Sequence, residues 1–213
     1  IDTDTNDPGA LNFVYDDFYK DDCFCTILNQ GTLDLNGIFV SVNYNQPNYK
    51  GNIYTMCNDS STSNAKLYID SASRIGGLKL EPEDPATGKY PAITTRGNGS
   101  YENEVHIEYS GKDKIANTED DDTVIFYVEN ADVGEIMDVF DENGNYTTTF
   151  SLNNGIDLQK RNISVKKDGV EIDFEYDSAT DNLTIPAELF TDGVDEIEIR
   201  LKYEVTYIAD DKT

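Results

Sequence analysis

The chain reads as an all-β protein built as an antiparallel β-sandwich, and three observations carry that reading. Apolar and polar residues alternate with a period of two over most of its length, as half-buried strands require. The dipeptides Asn143-Gly144, Asn154-Gly155, Asp168-Gly169 and Asp192-Gly193 accept positive φ, at about the 8 to 12 residue spacing, or multiples of it, of sandwiches and barrels. Only residues 133–140 suit a helix, and a short one.

In chain order, the first candidate strand sets Leu11, Phe13 and Tyr15 against Asn12, Val14 and Asp16, after the polar leader IDTDTND. Such a strand seeks a sheet, and donation to the sheet edge of a neighbouring subunit is the expected solution. In CFCTIL, Cys23 and Cys25 share one face and Phe24 takes the other. Strands are expected at 32–44, 53–57, 66–70 and 75–80, before a long loop marked by Pro82, Pro85, Gly88 and Pro91. Val105, Ile107 and Tyr109 then alternate with Glu104, His106 and Glu108, and further strands are expected at 123–130 and 145–150. Ile163 and Val165, then Ile172, Phe174 and Tyr176, flank the Asp168-Gly169 turn, and 182–185 precedes the final run EIEIRLKYEVTYI. No internal sequence repeat is evident. The expected division is an extension at 1–19 and sandwich parts at 20–112 and 113–213, with one large sandwich over 20–213 as the alternative. About seven strand candidates follow Asp122, the number an immunoglobulin-like sandwich needs, and a jelly roll or two packed sandwiches are the related options.

The 213 residues hold 42 Asp and Glu against 16 Lys and Arg, a formal net charge of −26. That field repels phosphate backbones and anionic lipid, which argues against nucleic-acid and membrane-surface partners. Inorganic cations, polysaccharide and other copies of the chain are compatible with it. No run of about 18 apolar residues is present to cross a bilayer as a helix. A start at Ile1 rather than Met fits a mature product from which a leader was removed, so export to the cell surface is expected.

Candidate sites follow from residue chemistry. The stretch GKDKIANTEDDDT offers oxygen ligands from Asp113, Asn117, Glu119, Asp120, Asp121 and Asp122, the donor type calcium takes. Cys23, Cys25 and Cys57 make an odd count, so either of the first two is free to bridge to Cys57 and leave a spare thiol. Tyr44, Tyr49 and Tyr54 surround an Asn-rich turn and form a candidate sugar face. Asn58, Asn98, Asn145, Asn162 and Asn182 begin Asn-x-Ser/Thr sequons. His106 is the only histidine and has no nucleophile elbow beside it, so an enzyme is not expected.

The stretch from Ile163 to Val205 resembles the last strands of immunoglobulin-like modules in secreted bacterial and archaeal surface or filament proteins. GKDKIANTEDDDT is similar to a loop of such exported proteins, G-x-D-x-x-x-x-T-x-D-D, with Ala116 where glycine is usual. That resemblance implies calcium. Together these readings lead to the expectation of a subunit of an extracellular filament or surface layer, assembled by strand donation and cation-bridged acidic contacts. A secreted carbohydrate-binding or adhesive module is the alternative.

Overall fold

Alternating side chains bury one face of each strand: Ala65, Leu67 and Ile69 are buried while Lys66 and Tyr68 are only partly so. The computed structural model describes residues 10–15, 24–44, 53–75, 92–110, 115–134, 140–153, 156–190 and 194–202. Within them the first nine strands are β1 (Ala10–Tyr15), β2 (Phe24–Asn29), β3 (Thr32–Leu35), β4 (Phe39–Tyr44), β5 (Ile53–Asp59), β6 (Ala65–Ile69), β7 (Arg74–Ile75), β8 (Ile93–Arg96) and β9 (Asn103–Tyr109). Eight more follow: β10 (Asp122–Tyr127), β11 (Ala131–Val133), β12 (Tyr146–Leu152), β13 (Ile163–Lys167), β14 (Val170–Glu171), β15 (Glu175–Asp177), β16 (Asn182–Ile185) and β17 (Glu196–Leu201). The only helical turns among the described residues are 3₁₀ turns at Lys160–Asn162 and Ala187–Leu189. The helix expected over 133–140 is not formed where the chain is described, since Val133 belongs to β11 and Phe140 bridges to Tyr146.

The all-β class and the packed sheets hold, but the pairing is mixed rather than antiparallel throughout. Each of the first six strands pairs in parallel with the strand three places later, giving the rows β1-β4-β7, β2-β5-β8 and β3-β6-β9. The chain thus winds as a three-sided β-solenoid of three rungs. From β9 the pairing changes. Strand β10 is antiparallel to β9 and parallel to β17, β13 is antiparallel to β17, and β14 is antiparallel to β13. On the other side β8, β11, β12, β16 and β15 are antiparallel in succession. Two seven-stranded sheets result, β14-β13-β17-β10-β9-β6-β3 and β15-β16-β12-β11-β8-β5-β2, with β1-β4-β7 as a third, shorter one.

One continuous apolar cluster runs from Leu35, Met56 and Leu67 in the rungs to Phe150, Ile185 and Ile199 beyond them. Each fully buried large side chain there, Phe126 or Ile107 for instance, contributes on the order of 1.5 to 3 kcal/mol. In the later half the core is aromatic. Tyr109 lies edge-on to Tyr146 and Phe140 at 5.1 and 5.9 Å, Phe140 to Phe190 at 5.5 Å, and the Tyr109 and Tyr146 hydroxyls bond each other at 2.9 Å. Both sheets cross the expected boundary at 112/113 without interruption, through the β9–β10 and β8–β11 pairs.

Leu11, Phe13 and Tyr15, expected to be donated to a neighbour, lie in β1, which pairs with β4 of its own chain from Ala10–Phe39 to Tyr15–Tyr44. That corrects the donated-strand assignment, because β4 satisfies one edge of this strand within the same chain. The side chains of β1 are outside the description.

Candidate functional site

A buried asparagine ladder organises the corner where the second strand of each rung turns into the third. Asn29 closes β2, Asn58 stands near the end of β5, and the register sets them side by side. Asn29 Nδ2 donates to Asn58 Oδ1 at 2.7 Å, and Asn58 Nδ2 donates to Asn103 Oδ1 at 2.9 Å. The same amides bind backbone carbonyls at the corner: Asn29 bonds Lys66 O at 3.0 Å, Asn58 bonds Ala65 O at 3.1 Å, and Asn103 bonds Asn58 O at 2.8 Å. Next in the row, Thr95 Oγ1 donates to Ala131 O and accepts from Ala131 N, both at 3.1 Å. A primary amide carries two donors and an acceptor, enough to join neighbouring rungs and to satisfy a sharp bend at once.

Among the described residues the ladder ends at β2, an outermost strand. Among the described residues, β1, β2 and β3 are each the outermost strand of their sheet. Lys66 N donates to Gly31 O and Asp70 N to Leu35 O, so the backbone groups of residues 31 and 35 face β6, and those of Thr32 and Asp34 point outward. At the opposite end both long sheets taper into β14 and β15, strands of two and three residues. Short edge strands resist further pairing, and longer ones invite it.

A second corner involves the acidic loop. Gly37, at φ +62°, directs its N–H to both oxygens of Asp70 at 3.0 Å, and Ser73 Oγ donates to Asp70 Oδ1. Asp121 is buried here. Its Oδ2 accepts from the Ser71 hydroxyl and from Asn117 N at 2.8 Å, and its Oδ1 accepts from Thr118 Oγ1 at 3.0 Å. Asp120 Oδ1 also lies 2.8 Å from Thr118 Oγ1, whereas Asp122 turns to Asp195, accepting its N–H at 3.1 Å. Burial, reinforced by Asp195 and Asp120, raises the Asp122 carboxyl to about 6, although that N–H and Lys167 favour its charge. Lys167 in turn is paired with Asp195 at 2.5 Å.

The loop resemblance implies calcium, and the described part of the loop shows how its oxygens are engaged within the chain. Asp120 and Asp121 meet at the Thr118 hydroxyl while Asp122 turns to Asp195, their oxygens serve as hydrogen-bond acceptors, and among the described residues no group of three or more His, Cys, Asp or Glu gathers as a metal site would require. Asn117 holds the turn at φ 61°, Glu119 is exposed, and Asp113 lies outside the described residues.

The outer face of the long sheet carries the most connected polar cluster. Glu104, almost buried, accepts from Lys66 Nζ at 2.7 Å and meets His106 Nε2 at 2.8 Å. Burial pushes its carboxyl up, and the hydrogen bonds from Lys66 and His106 outweigh this and leave it below its ordinary value. Tyr68 stacks on His106 at 4.5 Å, and Arg200 covers the Tyr127 ring at 3.7 Å. These contacts tie β6, β9, β10 and β17 together.

The remaining expected sites separate. Cys25 stands opposite Tyr54 and Cys57 opposite Leu28 across the β2–β5 pair; both are thiols, and a hydrogen bond from Cys57 lowers the Cys25 pKa despite burial. Cys23 and Tyr49 lie outside the description, as do the side chains of Tyr44 and Tyr54. Asn58 is withdrawn as a glycan acceptor because it is fully buried in the ladder. Asn145 donates to Asp141 and accepts from Ala187 N, Asn98 donates to Ser61 O from an exposed turn, and Asn162 and Asn182 are half-buried. The sequence pass missed the ladder, whose signal was three asparagines at strand ends. Comparison with protein-family models, with curated proteins and with solved structures found no match.

Proposed function

We propose that this chain is an extracellular structural subunit that assembles with copies of itself through the open edge of its first rung. The observation that carries this reading is the asymmetry of the ends: among the described residues, strands of six, six and four residues, β1, β2 and β3, lie outermost at one end, and strands of two and three residues, β14 and β15, end the two long sheets at the other. Outward groups at Thr32 and Asp34 supply backbone donors and acceptors for strand addition, and Asn29 extends the ladder to the rim. Contact of this edge with a different surface of the next copy repeats without closing and gives a filament, the form we assign. A net charge of −26 makes each contact depend on screening, so cations promote growth by neutralising carboxylates between copies.

Electron microscopy and sedimentation of the purified chain test this. Fibres are expected, dispersed by low salt with a chelator. Thr32→Pro removes an outward N–H, and Leu28→Glu adds a charge at an edge side chain that is 54% exposed. Each should raise the critical concentration by about tenfold or more, equivalent to at least about 1.4 kcal/mol per contact, with unchanged circular dichroism. A wild-type chain that stays monomeric under all these conditions, or variants that assemble like wild type, would overturn the reading.

A further inference from the structure

We propose that the cavity on the outer side of the β15–β16 pair binds a neutral sugar residue. The cavity measures about 360 Å³ and is lined by Lys160, Glu175, Tyr176, Asp177, Asn182 and Thr184, a volume within the range of small-molecule sites. Antiparallel pairing sets Glu175 opposite Thr184 and Asp177 opposite Asn182, so four polar side chains form a square on one face. One position along, Leu183 is buried in the core, and Tyr176 opposite it is half-buried and also borders the cavity. The Tyr176 hydroxyl is fixed 2.8 Å from Phe150 O and 3.1 Å from Asp181 Oδ1.

The square has the alternation of donors and acceptors that sugar hydroxyls need. Glu175 is exposed and has no partner among the described residues, which leaves its carboxylate to accept. Asn182 Nδ2 makes only a 3.4 Å contact with Thr184 Oγ1 and remains available to donate. Lys160 supplies a cationic donor at the rim, held by Asp173 at 3.0 Å and lying 5.0 Å over the Phe174 ring. The polar surface continues across the sheet, because Thr147 stands beside Thr184 and Thr149 beside Asn182. A second sugar residue therefore has hydroxyl partners on β12.

Other ligand classes fit less well. Two carboxylates against one ammonium disfavour a phosphate or sulfate. A dication finds too few ligands here, since among the described residues no group of three or more His, Cys, Asp or Glu gathers at this position. This site lies at the opposite end of its sheet from β5, which carries Tyr54, and it does not depend on assembly through the first rung.

Saturation-transfer NMR and titration calorimetry test it, using chain made in a host that adds no N-glycans. The probes are the methyl glycosides of glucose, galactose and mannose, N-acetylglucosamine, and glucuronate as an anionic counterpart. At least one neutral probe should bind with a Kd of about 1 mM. Glu175→Gln and Asn182→Ala should each weaken it by about tenfold or more with unchanged melting temperature, and glucuronate should bind more weakly. No binding of any neutral probe up to about 50 mM, unaltered affinity in both variants, or tighter binding of glucuronate would overturn the proposal.

Discussion

At the scale of single residues, burial decides more than charge density does. Asp122 stands in a run of carboxylates, and its own carboxyl is raised to about 6 because β10 carries it inward beside Asp195. The unfolded chain releases this proton near pH 4 and the folded chain only near pH 6, so ionisation works against folding as pH rises through that window. The loss is complete above about pH 6 and absent below about pH 4. Asp122→Asn keeps an oxygen to accept the Asp195 N–H while removing the charge. It should therefore stabilise the protein by about 1 to 3 kcal/mol at pH 7.5, and by little at pH 3.5, in urea denaturation at both pH values. A gain that is the same at both would show that the Asp122 charge is not responsible. None of this was legible in GKDKIANTEDDDT, because a run of carboxylates does not reveal which of them the following strand will pull into the core.

Strand positions were legible where one face of an element is wet, and pairing partners were not. Glu196 and Arg200 against Ile197 and Ile199 gave β17, and Asp168-Gly169 gave the β13–β14 turn, with φ of 50° and 77°. Period two is the same in parallel and antiparallel sheets, so the solenoid left no such mark. Its rungs also differ in length: Asn29 pairs with Asn58, but Asp59 pairs with Arg96, which hides a repeat from a fixed-period reading. What joins the rungs is the ladder, and Asn58 bonds on both sides of it. Asn58→Ala removes four buried hydrogen bonds, the one from Asn29 Nδ2 and those to Asn103 Oδ1, Ala65 O and Glu104 O, each worth about 1 kcal/mol. The expected loss is about 3 kcal/mol or greater in denaturant unfolding, against under about 1 kcal/mol for Asn98→Ala at an exposed turn. Equal losses at the two positions would remove the ladder from its structural role.

For the whole molecule, the question is whether the solenoid half and the later half, β10 to β17, unfold separately. Two long sheets run through both, β9 joins β10 in one and β8 joins β11 in the other, and the apolar cluster has no break between Ile107 and Val124. Unfolding the later half alone would strip β10 from β9 and expose Val105 and Ile107, both fully buried, along with an unpaired strand edge. Composition allowed either one domain or two, since nothing in the alternation tells which strands will span a boundary. The continuous sheets predict one cooperative transition. For 213 residues at about 0.7 kcal/mol each, the unfolding enthalpy should be about 150 kcal/mol near 60 °C, and the van't Hoff value from the same scan should equal the calorimetric one. The scan belongs at low protein concentration with a chelator present, so that dissociation of assembled copies does not enter the transition. A van't Hoff enthalpy near half the calorimetric one, or two resolved peaks, would mean that the β9–β10 and β8–β11 pairs are the weakest contacts in the sheets, with the rungs folding as a unit of their own.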